Sequence, residues 1–141
     1  MNLRNVTIGI SCIILIGMIG FSVYITSFGG LINIVFGTLL FLALCGFPQI
    51  VSIMLSVRSK NPFSHITLMI ASLLYGGWFA YIEYDAFFVN LDPQSGIAMI
   101  FIGVYALPVL LPLWIAAIVL NRYHAKQSEP QSLDDESEPD A

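Results

Sequence analysis

The sequence predicts an all-α membrane protein: an antiparallel bundle of four transmembrane helices, the second and fourth kinked, followed by a disordered acidic C-terminal tail. Three observations lead there. The 141 residues are 57% hydrophobic and only 10% charged, against about 25% charged residues in soluble domains. Asp, Glu, Lys and Arg are absent from residues 6–57, 61–82 and 93–121, as hydrocarbon requires when a central charge costs at least about 2.5 kcal/mol. Finally, Arg4, Arg58, Lys60, Arg122 and Lys126 fall on one side of a four-span arrangement, whereas an odd number of spans would scatter them.

The first span, about 6–26, is close to the roughly 20 residues that cross a 30 Å core. It is too long, and lacks the cleavage site, for a secretory leader. Gly9, Gly17 and Gly20 lie toward one face of it, a pattern suited to close helix packing. Cys12 and Cys45 sit in apolar runs without a CxxC pair and read as small buried hydrophobes. Thr26-Ser27-Phe28-Gly29-Gly30 is a short turn.

The second span, about 31–57, is some 40 Å long as a helix and must tilt or bend. Pro48 supplies the bend, since its missing N–H frees the carbonyl of Leu44. Gln49 or Ser52 is expected to satisfy that carbonyl. Asn33 and Gln49 are expected to cap or to bond between helices.

Arg58-Ser59-Lys60-Asn61-Pro62-Phe63-Ser64-His65 is the polar loop before the third span, about 63–85. Asn61-Pro62 reads as an N-cap with proline in the first turn. His65 is expected to be an interfacial polar side chain, with no second ligand at metal spacing. Aromatic residues crowd the stretch 75–88: Tyr75, Trp78, Phe79, Tyr81, Tyr84, Phe87 and Phe88. Glu83 lies about 33 Å along the helix from Asn61, just past the hydrocarbon, and is expected to be wet. Asp92-Pro93 repeats the pattern of Asn61-Pro62 and starts the fourth span, about 96–120.

Pro108 and Pro112 remove two successive hydrogen bonds from that last span and form, with Pro48, the candidate kinks or hinges. Trp114 and Tyr123 are expected to anchor its inner end. Residues 1–126 thus form the transmembrane domain. Residues 127–141 hold six of the nine acids, two prolines and one large aliphatic, Leu133, and are expected to be disordered. Without that tail the net charge is five basic minus three acidic groups, +2. No basic patch for nucleic acid exists. By the positive-inside rule both termini are cytoplasmic, in a cell (inner or plasma) membrane.

No motif names a reaction, a metal or a cofactor. Quinone-linked disulfide formers carry paired CxxC motifs and small multidrug exporters a buried Glu in the first helix; both marks are missing. The run Asn33-Ile34-Val35-Phe36-Gly37-Thr38 resembles the second helix of fluoride channels, but the third helix departs from their pattern. The expected function is a non-enzymatic accessory, assembly or immunity-type interaction protein, with the bilayer and a membrane protein or a second copy as partners. The alternative is an oligomeric small channel or transporter subunit. Trp78, Tyr81, Glu83, Tyr84, Asp85 and Asp92 are the candidate interaction residues, being a surplus of rings and acids beyond what one helix end requires.

Overall fold

A computed structural model describes residues 2–26, 31–89 and 95–127, all in helices apart from short connections, with no strand among the described residues. The helices are α1 (Leu3–Thr26), α2 (Leu31–Phe41), α3 (Phe47–Arg58), α4 (Pro62–Tyr84) and α5 (Ser95–Gln127). Two π-helical turns join the set, Leu42–Gly46 between α2 and α3 and Asp85–Val89 after α4. Four stretches are long and apolar enough to cross a membrane: Leu3–Tyr24, Ile34–Arg58, Pro62–Tyr84 and Phe101–Gln127. These are the four expected spans, and the second is built from α2, the π turn and α3. The turn at 27–30, Asp92 and the acidic tail from residue 128 lie outside the described residues.

The helix ends follow from local chemistry. Asn61 caps α4 as its sequence predicts: its Oδ1 accepts from the Phe63 N–H at 2.9 Å, and Pro62 occupies the first turn. The same side chain donates from Nδ2 to the Leu120 carbonyl of α5 at 2.8 Å. Asn121 answers in the other direction, accepting from the Lys60 N–H at 2.9 Å and from Ser59 Oγ at 3.3 Å. Two asparagines thereby tie the α3–α4 connection to the last turns of α5, which continues beyond the expected end near Leu120 to Gln127.

At Pro48 the helix absorbs its missing donor by changing type. The ladder widens over Leu42–Gly46, and Pro48 follows directly in the first turn of α3. Helix α5 runs unbroken through Pro108 and Pro112, whose rings lie on its exposed side.

Helix α4 is the central element, packing on α1, α3 and α5. Its buried face, Leu68, Ala71, Tyr75 and Phe79, meets Met18 of α1, Cys45 of the π turn, and Ile102, Leu110 and Trp114 of α5. Phe79 takes edge-to-face contacts from Phe21 at 6.2 Å and Phe41 at 5.8 Å. Large apolar side chains on the outside, such as Ile13, Ile16, Leu31, Ile32 and Phe36, are exposed. That surface suits lipid, since a water-soluble chain rarely leaves so much apolar area bare.

The glycine expectation needs correcting. A Cβ at Gly9, Gly17 or Gly20 would meet nothing within 4 Å among the described residues, so these positions make no close helix contact there. Close approach occurs instead at Gly103, where a Cβ would overlap the Leu44 carbonyl oxygen and press the Phe47 ring at 3.0 Å. Ile14 similarly lies 3.0 Å from where a Cβ of Gly76 would stand. The sequence spacing identified an open face; the contacts that need glycine lie on α5 and α4. Gly103→Ala is expected to destabilise the bundle by about 1–3 kcal/mol, the usual cost of overpacking, and Gly17→Ala to change it by less than about 0.5 kcal/mol. Unfolding in mixed micelles by added denaturing detergent measures both.

Candidate functional site

Polar side chains form a seam through the interior. Thr7, Ser11 and Ser22 are buried on one face of α1 with Met18 between them, at spacings of i, i+4, i+11 and i+15 that keep one helical face. Gln49, Ser52 and Ser56 do the same on α3, and Ser64, His65 and Ser72 on α4.

These groups bond across helices. Thr7 Oγ1 donates to the His65 carbonyl at 3.2 Å, and the Ser11 and Ser72 hydroxyls share a hydrogen bond of 2.7 Å. Gln49 Nε2 donates to the Ser72 carbonyl at 3.0 Å, the interhelical bond expected of it. Trp114 Nε1 donates to Ser52 Oγ at 3.1 Å. The Tyr75 hydroxyl donates to the Cys45 carbonyl beside the π turn. Gln49 and Ser52 are therefore turned toward α4 and α5, and neither serves the carbonyl freed by Pro48. Leu44's carbonyl lies against Gly103, and the hydrogen bond from a neighbouring helix goes to Cys45.

Part of the seam is unsatisfied. Among the described residues, Thr38 Oγ1, Gln49 Oε1, Ser56 Oγ, His65 Nδ1 and both oxygens of Glu83 are buried without a hydrogen-bond partner. Such a group in an apolar surround costs about 1–3 kcal/mol, more for a charge.

Glu83 is the main departure from expectation. It was expected to be wet at the helix exit, but only 5% of it is exposed, because it falls on the Tyr75–Phe79 face of α4 that turns inward. Within Coulombic reach stand Cys45 and Tyr75. Asp85 is half-buried in the π turn that follows, and Asp92 lies outside the described residues. Among the described residues no group of three His, Cys, Asp or Glu side chains is placed to hold a metal.

The aromatic cluster divides. Tyr75 and Phe79 belong to the core, whereas Trp78, Tyr81 and Tyr84 face outward, Trp78 with 46% of its surface exposed. Trp114, expected as an interfacial anchor, is instead 6% exposed and bonded inside the bundle, while Tyr123 is exposed. His65, expected at the interface, is 4% exposed. Of the kink residues, Pro48 is buried and Pro108 and Pro112 are exposed. The hydroxyl seam was missed at the sequence level, although the face-keeping spacing of Thr7, Ser11 and Ser22 was there to be read.

Two tests follow from this placement. Tyr75→Phe is expected to destabilise the bundle by about 1–3 kcal/mol by orphaning a buried carbonyl, and Tyr105→Phe, on the exposed side, by under about 0.5 kcal/mol. Brominated lipid is expected to quench Trp78 fluorescence in the Trp114→Phe variant far more than Trp114 fluorescence in the Trp78→Phe variant.

Comparison with family models, with curated proteins and with solved structures returns no match for this chain.

Proposed function

We propose that this chain is a non-enzymatic integral membrane protein that works by packing against other membrane proteins, as an accessory, assembly or immunity-type component. The observation that carries the reading is the open glycine face of α1. A Cβ at Gly9, Gly17 or Gly20 would meet nothing within 4 Å among the described residues, Gly17 and Gly20 are exposed, and Ile13 and Ile16 are exposed around them. A backbone left accessible in this way lets a helix of another subunit approach closely. In this reading the four spans alternate in direction. The end bearing Arg4, Arg58, Lys60, Arg122 and Lys126 faces the cytoplasm of the cell membrane, with the acidic tail on the same side.

A photo-crosslinking residue at position 17, introduced in the native membrane, is expected to capture a different membrane protein, with capture lost when Gly20 is replaced by Ile. Recovery of nothing beyond the chain itself would count against an accessory role.

A second reading, a small oligomeric channel or transporter subunit, is favoured by one specific observation: an unpartnered carboxyl at Glu83 beside a seam of hydroxyls. Ionisable groups inside membrane bundles mark ion or proton paths more often than they serve packing. Pro48, Pro108 and Pro112 supply the bends or hinges such a path uses. In liposomes this reading expects ion or solute flux that falls at least about tenfold in Glu83→Gln, a loss in line with removal of an essential ionisable group. Absence of any flux in the unaltered protein sinks it.

A further inference from the structure

The basic end of the bundle holds a cleft of about 290 Å³ between the starts of α1 and α4, lined by Asn2, Arg4, Ser59, Lys60, Pro62 and His65, with Leu3 beside them. Three features point to an anion as its ligand. Arg4 and Lys60 both line it, and the acids among the described residues, Glu83 and Asp85, stand at the other end of α4. That is about 27 Å away for eighteen residues of helix. The N-terminus of the 23-residue α4 adds its positive dipole end there. His65, 4% exposed, lines the cleft with its Nδ1 buried and, among the described residues, without a hydrogen-bond partner.

The histidine refines the ligand. A neutral imidazole protonated at Nε2 presents a lone pair at Nδ1, which needs an O–H or N–H donor. Arg4 and Lys60 call for a phosphate. A phosphate with a hydroxyl close by satisfies all three. On the same half of α4, Phe63, Ile66 and Ile70 are exposed in succession and suit acyl chains. We propose that this cleft binds the headgroup of an anionic phospholipid, its phosphate held by Arg4 and Lys60 and a headgroup hydroxyl, as in phosphatidylglycerol, donating to His65 Nδ1. The site does not depend on whether the chain also binds a protein partner or conducts an ion.

The test uses the full chain in nanodiscs of mixed phosphatidylglycerol and phosphatidylcholine, with retained lipid read by native mass spectrometry. The unaltered protein is expected to keep one phosphatidylglycerol in preference to phosphatidylcholine. Arg4→Ala/Lys60→Ala is expected to weaken retention about thirtyfold, two charges at roughly 1 kcal/mol each. Arg58→Ala/Arg122→Ala, which removes equal charge from the neighbouring cleft at the same end, is expected to leave retention near the unaltered level. His65→Phe is expected to erase a preference for phosphatidylglycerol over phosphatidylmethanol, a diester anion without the hydroxyl, while charge-driven binding persists. Trp114 fluorescence reports whether each variant keeps its core. Equal loss in both double variants would reduce the effect to general surface charge and overturn the site. Glycerol phosphate or inorganic phosphate in the aqueous phase displacing the lipid would overturn the lipid as its source.

Discussion

Proline inside an apolar bundle creates a carbonyl that water cannot reach, and the architecture around the second span answers that single demand. A π turn widens the helical ladder directly ahead of Pro48. Gly103 lets α5 come against the Leu44 carbonyl, and the Tyr75 hydroxyl of α4 satisfies Cys45. Three helices therefore meet at one backbone irregularity. Tyr75, Cys45 and Ile102 are all buried there. Non-helical hydrogen bonding at membrane depth persists only where protein surrounds it, and that requirement fixes how α3, α4 and α5 face one another.

The two ends of the bundle treat polar groups differently. At the basic end Asn61 and Asn121 bond reciprocally across α3, α4 and α5. Toward the other end the seam finishes at a carboxyl with no partner. A buried carboxyl without a partner is costly in folding, so Glu83, near Tyr75 and Cys45, asks for an explanation that the exposed rings of Trp78, Tyr81 and Tyr84 do not. Those rings sit where any helix would place amphipathic side chains at a membrane boundary.

Length and charge made the four spans legible in the sequence, because hydrocarbon excludes Lys, Arg, Asp and Glu over whole stretches. Asn61-Pro62 was legible for a local reason, a cap and a proline two residues wide. Helix rotation was not legible. Whether Glu83 is wet or buried depends on which side of α4 meets α1 and α5, and an almost uniformly apolar helix has no polar face to announce it. The same blindness placed Trp114 at an interface and gave the close contacts to Gly9, Gly17 and Gly20 in place of Gly76 and Gly103. Serine and threonine carried the missing information, since in a membrane helix they, more than the aliphatics, mark the inward side.

The π turn at Leu42–Gly46 also bears on how this chain tolerates change in length. A π turn holds one residue more than the α ladder it interrupts. Losing that residue would restore regular winding and swing everything after it by about 100°. Gln49 and Ser52 would leave the interior and Ile50 would turn inward, with composition and span length almost untouched. Single-residue deletions here are thus far more disruptive than conservative substitutions, and related chains are expected to drift in residue type across this turn while holding its count fixed.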